Sequence, residues 1–315
     1  MRVDFGLPPA EAAERRPAVL TIGNFDGVHR GHRALVGQLV SAARDRNAES
    51  VVLTFDPHPR CVFDPDNCPQ QITTLDEKRD LIASLGVDRL VVLEFTRELS
   101  HWSAEHFCAQ LMASFAMARL VVGHDFALGH QRRGDIPFLR SLGAAQGFDV
   151  VTVDALEDGG EVVSSSLVRA ALIGGELERA NRLLGRPFFV DAWVEHSDSV
   201  DRSAGHPSAH LAITPGKALP GRGVYATWLK VRGRWHMAAT NVGYGPTFGH
   251  DRLAVESLLL DFEGDLYRQK VRAAFVSRLR EERRFGGVEE LGAQIARDVE
   301  QAQAALQQAG APAGL

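Results

Sequence analysis

The stretch that decides the fold is TIGNFDGVHRGH, from Thr21 to His32. The apolar residues from Ala18 to Ile22 read as a buried strand, and apolar residues recur at helical spacing from Ala34 to Ala43. The stretch is therefore predicted to form a strand-to-helix turn. Because the first turn of a helix presents unpaired N–H groups and the positive end of the helix dipole, this turn is suited to hold an anion.

The side chains of this turn also suit phosphate binding. Gly23, Gly27 and Gly31 allow a ligand to approach the backbone closely, and His29 and His32 can donate hydrogen bonds to phosphate oxygens. Two histidines at this spacing could instead bind zinc, but no cysteine follows at ligand spacing and no HExxH pattern occurs. Neither a P-loop sequence nor GxGxxG is present, so these two phosphate cradles are excluded.

Length and composition limit the number of domains and the class of protein. A chain of 315 residues predicts about two domains, and a formal net charge of −5 gives no electrostatic footprint for nucleic acid. No apolar run is long enough to span a bilayer, and the charged, proline-containing N-terminus does not read as a signal peptide. The three cysteines, Cys61, Cys68 and Cys108, lack CxxC spacing, so neither a disulfide framework nor a zinc ribbon is expected. A cytoplasmic location fits this usage best.

The first half of the chain alternates apolar strand-like runs with helical patterns, which predicts a doubly wound parallel sheet. The predicted strands are Val19–Ile22, Val51–Phe55, Leu90–Phe95, Leu120–Gly123 and Val150–Val153. Ligands bind at the carboxyl ends of the strands in such a sheet. The loops after Ile22, Phe55 and Gly123 are therefore expected to carry the chemistry.

The pattern changes at Phe188, where short β-rich segments separated by turns predict a small all-β unit. The segments are Phe188–Val194, Val224–Val231, Trp235–Thr240 and Val255–Phe262. From Arg272, two helical patterns are predicted to finish the chain, the second running from about Val288 to Leu306. These changes predict two domains, 1–186 and 187–315.

Several ordered motifs resemble those of bacterial bifunctional riboflavin kinase/FAD synthetases, from about Val19 to Gln303. They are GNFDGVHRGH, TFDPHPR at 54–60, ITTLDEKRDLIASLGVD at 72–88, VVGHDFALGHQRRGD at 121–135 and SSSLVRAALIGGELERANRLLGRPF at 164–188. The resemblance implies that the first half is an HxGH nucleotidylyltransferase that transfers AMP from ATP to FMN, giving FAD and pyrophosphate. It implies that the second half is a riboflavin kinase module, a small Greek-key β-barrel with terminal helices.

The same resemblance implies roles for residues of the first half. His29 and His32 would be the catalytic residues, and Mg²⁺ would bridge the phosphate oxygens. The implied ATP-binding residues are Gly23, Phe25, Gly31, Ser165, Ser166 and Arg169. The residues implied to border the flavin pocket are Asp56, Pro57, His58, Pro59, His124, Asp125 and Phe126. The alternative for the 54–60 segment is a rigid turn shaped by its prolines.

Two positions of the first half depart from the family pattern, and a third allows two interpretations. Leu167 stands where the family has a second arginine, and His124 stands where an acidic or amide residue is common. Lys78 fits the family pattern, but it could equally be a solvated charge on a helix.

In the second half, Glu256 matches the glutamate that deprotonates the riboflavin 5′-hydroxyl in the family. A glutamate on a strand would otherwise be an ordinary surface charge. Ser208 and His210 match the threonine and asparagine that hold ATP phosphates and Mg²⁺, so Ser208 is implied to bind ATP and both residues to bind the metal. An imidazole at position 210 is a poor replacement for an amide oxygen, because Mg²⁺ prefers oxygen ligands.

Other departures fall near the same motif. The loop HSDSVDRSA at 196–204 is acidic where phosphate must approach, Gly245 stands where arginine or asparagine is common, and Arg268 stands where glycine is usual. Three functions therefore stay open: a bifunctional enzyme, a monofunctional FAD synthetase with a decayed kinase-like module, or a flavin-binding protein without turnover. The intact HxGH turn favours adenylyl transfer. The expected partners are ATP, FMN and riboflavin rather than nucleic acid or a membrane, and no oligomeric state follows from the sequence.

Overall fold

The structure is a computed structural model that describes residues 1–9, 16–195, 208–244, 253–283 and 285–314. The chain forms two compact units: Met1–Pro69 with Leu75–Ser164, and Gln70–Thr74 with Ser165–Leu315. The division of the chain at residue 186 stays a prediction, since the compact units are discontinuous in sequence.

A parallel sheet of six strands forms the centre of the first unit. Its strands are β1 (Arg2–Phe5), β2 (Pro17–Ile22), β3 (Glu49–Asp56), β4 (Arg89–Glu94), β5 (Ala116–Gly123) and β6 (Asp149–Val153). Their order is β1-β4-β3-β2-β5-β6, and every pair is parallel. The predicted doubly wound sheet is confirmed. Because β3 and β5 flank β2 on opposite sides, the strand order reverses at the carboxyl ends of β2 and β5, where such folds bind ligands.

Strand β1 is an element that the sequence analysis did not assign. It pairs in parallel with β4, from Arg2 opposite Arg89 to Phe5 opposite Val92. Four residues with exposed ends give too little periodic signal to identify a strand, and only pairing with β4 defines it.

Helices connect the strands of the first unit. They are α1 (Arg30–Asp45), α2 (Pro59–Phe63), α3 (Leu75–Ser84), α4 (Arg97–Ser100), α5 (Ala104–Ser114) and α6 (Ile136–Gln146), with a small hairpin of β7 (Glu157–Asp158) and β8 (Glu161–Val162) before the second unit. Helix α1 buries Val36, Leu39, Val40 and Ala43, whose spacing places them on one helical face. This amphipathic face fixes α1 in the fold and so fixes the direction of its N-terminus.

The cysteines differ from the expectation. Cys61 and Cys68 form a disulfide bond across seven residues, a single local pair that the expectation of no disulfide framework did not identify. The odd number of cysteines argues against a framework of several bonds, but it does not exclude one local pair that α2 and the following turn bring together. Cys108 is buried, and burial raises the pKa of its thiol to about 11. This thiol is therefore an unreactive core residue.

The second unit is a closed, antiparallel six-stranded barrel with helices outside it. Its elements are α7 (Ser165–Ile173), α8 (Leu177–Leu184), β9 (Phe188–Glu195), β10 (Ser208–Ala212), β11 (Gly223–Val231), β12 (Arg234–Tyr244), β13 (Leu253–Leu259), β14 (Lys270–Arg280) and α9 (Val288–Ala309). The order around the barrel is β10-β13-β12-β11-β14-β9. Strands β11, β12 and β13 are consecutive neighbours, and β14 returns beside β11, which is the Greek-key arrangement that the resemblance implied.

Strand β14 corrects one prediction. The segment from Arg272 was predicted to begin a helix, but Lys270–Arg280 is a strand that pairs with both β11 and β9. Val271, Ala273 and Phe275 are buried at every second position, as a strand requires. The two alanines and the arginines resemble a helical composition, and pairing on both sides overrides that local preference.

Helix α9 packs on the barrel through an apolar cluster and a buried ion pair. Ala302 and Leu306 are buried against Ala226 and Ala239 of the barrel. At the same face, the guanidinium of Arg280 donates to both carboxylate oxygens of Asp298, at distances of 2.7 to 3.0 Å. The two-point contact ties the last strand of the barrel to the last helix.

We expect Asp298→Ala to lower the free energy of unfolding of the second unit by about 2 to 3 kcal/mol, because the Arg280 guanidinium loses its carboxylate partner in a largely buried place. Denaturant unfolding followed by tryptophan fluorescence measures this, since Trp193, Trp228 and Trp235 all lie in this unit. Glu300→Ala, at an exposed position of the same helix, is the matched control. Equal stability of the two variants would contradict the role of the ion pair.

Candidate functional site

The turn after β2 is held in an unusual backbone conformation. Phe25, Gly27 and Val28 have φ angles of 48°, 79° and 41°, all in the left-handed region. A β-branched residue such as Val28 rarely adopts this conformation, which costs on the order of 1 to 3 kcal/mol. Val28 is nevertheless 2% exposed, so packing of the turn into the core maintains the conformation.

His29 and His32 form one stacked unit at the start of α1. Nδ1 of His29 accepts a hydrogen bond from the backbone N–H of His32 at 3.3 Å, so the His29 side chain caps the helix. The two rings stack with centroids 3.6 Å apart and planes 19° apart. The edge of the buried Phe25 ring contacts His32, with centroids 5.1 Å apart. Because Nδ1 accepts this hydrogen bond, a neutral His29 ring carries its proton on Nε2, which makes Nε2 a donor.

Gly31 is required by close approach to His29. A Cβ atom at this position would lie 3.2 Å from Cε1 and Nδ1 of the His29 ring and 3.5 Å from the carbonyl oxygen of Val163. A side chain at position 31 would therefore require the His29 ring to shift by a few tenths of an ångström. Gly23 is similar, because a Cβ there would lie 3.2 Å from the Phe25 ring.

The environment of His32 favours the neutral ring. Burial holds the pKa of His32 well below its ordinary value, and the nearby His29 and Lys78 lower it further. Lys78 is 7% exposed, and its Nζ donates to Oγ1 of Thr54 at 3.4 Å. The interpretation of Lys78 as a solvated helix charge was therefore wrong. Burial lowers the pKa of Lys78 also, whereas the carboxylates of Asp26 and Asp56 raise it.

An apolar cavity opens beside this turn, with a volume of about 670 Å³. Loops and helices that follow β2, β3, β4 and β5 form its wall, which places it at the switch point of the sheet. Its residues include Ile22, Gly23, Asn24, Phe55, Pro59, Phe63, Phe95, Leu99, His101, Phe107, Asp125, Phe126, His130 and Arg132. The cavity and the turn share Gly23 and Asn24. The volume and the aromatic lining suit a flat, drug-sized ligand.

Aromatic rings form the closed part of this cavity. Phe55 and Phe95 meet edge to face with centroids 5.4 Å apart, and Phe63 meets Phe95 at 5.7 Å. At another part of the wall, the imidazoles of His101 and His130 stack with centroids 5.2 Å apart. Such a wall can hold a planar heterocycle by stacking and offer it polar atoms at its edge.

The predicted flavin-binding residues divide into two groups. Pro59, Asp125 and Phe126 line the cavity. The other four do not line it; they are Asp56, Pro57, His58 and His124. The peptide bond between Asp56 and Pro57 is cis, and His124 is exposed. The His58 side chain caps α2, because its Nδ1 accepts a hydrogen bond from the Arg60 N–H at 3.2 Å.

Sequence reasoning missed most of the aromatic wall. The apolar residues that it did not assign to the cavity include Phe55, Phe63, Phe95, Leu99 and Phe107. Phe55 and Phe95 stand at or just after the ends of predicted strands, which was the available signal for them. Leu99 and Phe107 lie on helices, and only the folded chain brings them to the same cavity.

The predicted phosphate contacts at Ser165, Ser166 and Arg169 lie in the second compact unit, in the first turns of α7. Nε of Arg169 donates to the backbone carbonyl of Gln70 at 2.6 Å, within that unit. Leu167, the departure between them, is half-buried. The role of these residues in binding ATP stays a prediction.

In the barrel, His210 and Glu256 are direct cross-strand neighbours on β10 and β13. Nδ1 of His210 lies 3.5 Å from Oε1 of Glu256. His210 is 8% exposed, whereas the Glu256 side chain is 43% exposed. Glu256 points away from the barrel interior, because its neighbours Val255 and Ser257 are both buried. The imidazole of His210 therefore contacts one carboxylate oxygen of Glu256, the predicted base.

Several predicted features of this module lie outside the described residues. They are the loop at 196–204, the residues at 205–207 and Gly245. Arg268 is described, and its φ is 58°. A left-handed φ explains why glycine is usual at that position.

The described residues do not make a magnesium site. Within them, no group of three or more His, Cys, Asp or Glu side chains could hold a metal ion. Ser208 is exposed and offers one hydroxyl oxygen, and His210 offers a nitrogen that faces Glu256. This set does not fit the oxygen-rich, octahedral coordination that Mg²⁺ requires.

Two family models match the chain. A model described as FAD synthetase matches residues 11–167, and one described as riboflavin kinase matches residues 184–306. The sheet with its HxGH turn and the barrel therefore define a two-domain enzyme of flavin nucleotide synthesis.

Curated relatives cover nearly the whole chain. Bifunctional riboflavin kinase/FMN adenylyltransferases from Escherichia coli K12 and Pseudomonas fluorescens are 37% and 38% identical, over 95% and 92% of this chain and 96% and 94% of their own. The corresponding Bacillus subtilis protein is 33% identical over 92% of both chains. The chain belongs to the bifunctional riboflavin kinase/FMN adenylyltransferase family. It is an enzyme with an FMN adenylyltransferase domain and a riboflavin kinase domain.

A solved structure agrees with this architecture over almost the full length. It is described as a macrolide-efflux protein from Streptococcus pneumoniae, has a TM-score of 0.87 and 26% identity, and covers 96% of this chain and 99% of its own. Among the described residues of the present chain, no helix has the length and apolar character needed to cross a membrane.

The geometry of the turn predicts the effect of a single methyl group. Gly31→Ala should lower the rate of FMN adenylylation by up to about tenfold, because the new Cβ requires the His29 ring to shift by a few tenths of an ångström. Steady-state kinetics of FAD formation measure this loss.

Gly37→Ala on the same helix is the control, since its Cβ would meet no atom within 4 Å. That change should leave the rate unchanged and stabilise α1 slightly, because alanine favours a helix over glycine. Equal rates for Gly31→Ala and the wild-type protein would contradict the requirement for close approach.

Proposed function

We propose that the first unit transfers AMP from ATP to the phosphate of FMN at the His29–His32 turn, producing FAD and pyrophosphate. The observation that carries this proposal is the stacked histidine pair at a helix N-terminus, on the same loop as an aromatic cavity of about 670 Å³. One part of this arrangement suits phosphates and the other suits a planar ring system. The names of the relatives support the choice of FMN and ATP as substrates.

The reaction needs positioned donors rather than a protein nucleophile. An oxygen of the FMN phosphate attacks the α-phosphorus of ATP, and the bond from that phosphorus to the bridging oxygen of the pyrophosphate breaks. Negative charge moves to the departing pyrophosphate. Nε2–H of His29, with its partner His32 and the N–H groups at the start of α1, would donate to these oxygens and stabilise that charge.

The cavity would hold the isoalloxazine ring. Phe55, Phe95 and Phe126 offer aromatic surface, and Asp125 stands at the polar side. A ring bound there would be held close to the turn because Gly23 and Asn24 belong to both. We propose further that Ser165, Ser166 and Arg169 contact ATP phosphates, through hydroxyls and a guanidinium. Mg²⁺ bound with ATP would neutralise phosphate oxygens.

Removing either imidazole tests the assignment. We expect His29→Ala and His32→Ala each to lower FMN adenylylation by about a hundredfold or more, since each removes a preorganised donor to developing charge. His106→Ala, an exposed histidine on α5, should leave the rate unchanged. Circular dichroism checks that all three variants fold. Normal turnover of both folded HxGH variants would refute the catalytic assignment.

For the second unit we propose a riboflavin kinase module with weakened activity. In this reaction the riboflavin 5′-hydroxyl attacks the γ-phosphorus of ATP, and Glu256 would accept the hydroxyl proton. The contact of His210 with Oε1 of Glu256 supports weakening, because an oxygen that faces an imidazole is less available to a substrate hydroxyl. The acidic loop at 196–204 would further oppose the approach of phosphate.

Restoring the family residues at positions 208 and 210 tests whether the kinase activity is weakened. We expect riboflavin phosphorylation by the wild-type protein to be weak or undetectable, and we expect Ser208→Thr combined with His210→Asn to raise it. Glu256→Gln should abolish whatever rate is present, because the general base is lost. Formation of FMN from riboflavin and ATP measures each rate. A wild-type rate on the order of 1 s⁻¹ or faster would show that the module has not decayed.

The remaining expectations follow from the same function. We propose that the partners are small molecules, with no nucleic acid among them, and that the enzyme acts in the cytoplasm.

A further inference from the structure

A covalent bond crosses the segment that carries one ring of the aromatic wall. The disulfide between Cys61 and Cys68 closes the segment 61–68, which we call the disulfide loop. Phe63, inside this loop, lines the cavity beside the HxGH turn. Its ring meets Phe95 edge to face, with centroids 5.7 Å apart. The disulfide and the cavity therefore share one short stretch of chain.

The disulfide loop is not held in place by core packing. No residue of α2 is buried, and none of Pro65–Asn67 is buried. Phe63 itself is 58% exposed. Nδ2 of Asn67 donates to the two carboxylate oxygens of Asp64 at 3.1 and 3.0 Å, but this contact is exposed to solvent. Segments with so little buried surface open at low cost in free energy. The covalent bond is therefore the main constraint on the position of the Phe63 ring.

The disulfide is open to thiol exchange. Cys68 is exposed and Cys61 is half-buried, whereas Cys108, the remaining cysteine of the chain, is buried. Exposed disulfides are the ones that thiols reduce readily. A disulfide in the cytoplasm, where we place this enzyme, is most often catalytic or redox-sensing. No step of either proposed reaction uses a thiol, which leaves redox sensing as the role of this pair.

We propose that Cys61 and Cys68 are a redox modification site, reduced by a dithiol and oxidised by a small disulfide, that sets the affinity of the cavity for the flavin through Phe63. The inference rests on the proposed function of the cavity.

The exchange is balanced in two steps. A thiolate of the dithiol attacks Sγ of the exposed Cys68, the bond between the two sulfurs breaks, and Cys61 leaves as a thiolate. The second thiolate of the dithiol attacks the mixed disulfide, and Cys68 leaves in turn. Two electrons have then passed to the pair, two protons convert it to thiols, and the reductant has become a disulfide. A small disulfide such as glutathione disulfide reverses the exchange.

Reduction releases the loop that carries Phe63. An open chain from 61 to 68 has more conformations than the closed loop. A flavin that packs on the Phe63 ring must then order this segment as it binds, which lowers its affinity. The HxGH turn at 21–32 has no residue in the loop, so the geometry of the histidine pair is unaffected. Reduction should therefore change the KM for FMN and leave kcat unchanged.

Binding of FMN to the full-length protein, followed by quenching of flavin fluorescence, tests the proposal. Dithiothreitol should raise the Kd for FMN about threefold to tenfold, and glutathione disulfide should restore it. Labelling with a maleimide counts the accessible thiols in each state. A pair that stays oxidised in dithiothreitol, or stays reduced in glutathione disulfide, would overturn the proposal, as would an unchanged Kd after complete reduction.

Two variants separate the loop from other effects of the reductant. The double variant Cys61→Ser with Cys68→Ser should bind FMN as the reduced wild type does, and dithiothreitol should not change its Kd. Phe63→Ala should bind FMN equally in both redox states, because its loop carries no ring. A full redox effect in either variant would contradict the assignment.

Proteolysis gives a readout that needs no flavin. Arg60 is exposed and directly precedes the loop, so trypsin can cleave after it. Reduction should speed this cleavage about threefold or more, because the freed segment fits a protease more often. The double serine variant should be cleaved at the fast rate with or without dithiothreitol. Cleavage that ignores the redox state would overturn the proposal. Redox-dependent cleavage in a protein that binds no FMN in either state would instead place the failure in the proposed function.

Discussion

The hydrogen bond from the His32 N–H to Nδ1 of His29 is the contact on which the adenylyltransferase site depends. It caps α1, so it sets where the helix begins and which N–H groups remain for a ligand. It also places the proton of a neutral His29 ring on Nε2. The His29 ring lies close to the backbone of residue 31, and a Cβ atom on that residue would be 3.2 Å from the ring. Glycine at position 31 avoids this close contact.

The parallel sheet places the turn beside the aromatic cavity. The turn lies at the switch point, where loops after β2, β3, β4 and β5 meet, so one edge of the sheet carries both the anion-binding helix start and the aromatic cavity. Val28 keeps its left-handed φ of 41° only because it is buried there. The site is thus positioned by a rigid core and by strain that the core holds in place.

The barrel supports a different kind of site. Thr227, Thr240 and Ser257 form a buried chain of hydroxyl contacts of 2.6 and 2.8 Å inside it, which satisfies polar groups that the barrel encloses. Glu256 lies on the opposite face of its strand from Ser257, and register places it beside His210. The residue at position 210 therefore forms part of the immediate surroundings of the predicted base.

The sequence by itself determined the parallel sheet, the strand-to-helix turn and an all-β second half, because strand alternation, helical spacing and turn glycines are local signals. The resemblance to a known family implied the Greek-key barrel. It also identified His29, His32 and Glu256 as the residues to examine. Only the tertiary structure decided that β1 and β14 are strands, that Lys78 is buried and that His210 faces Glu256. The physical reason is that pairing, burial and charge neighbours depend on residues distant in sequence. Strand β14 is a strand because β9 and β11 flank it, and the buried Lys78 has its hydrogen-bond partner, Thr54, 24 residues away on β3.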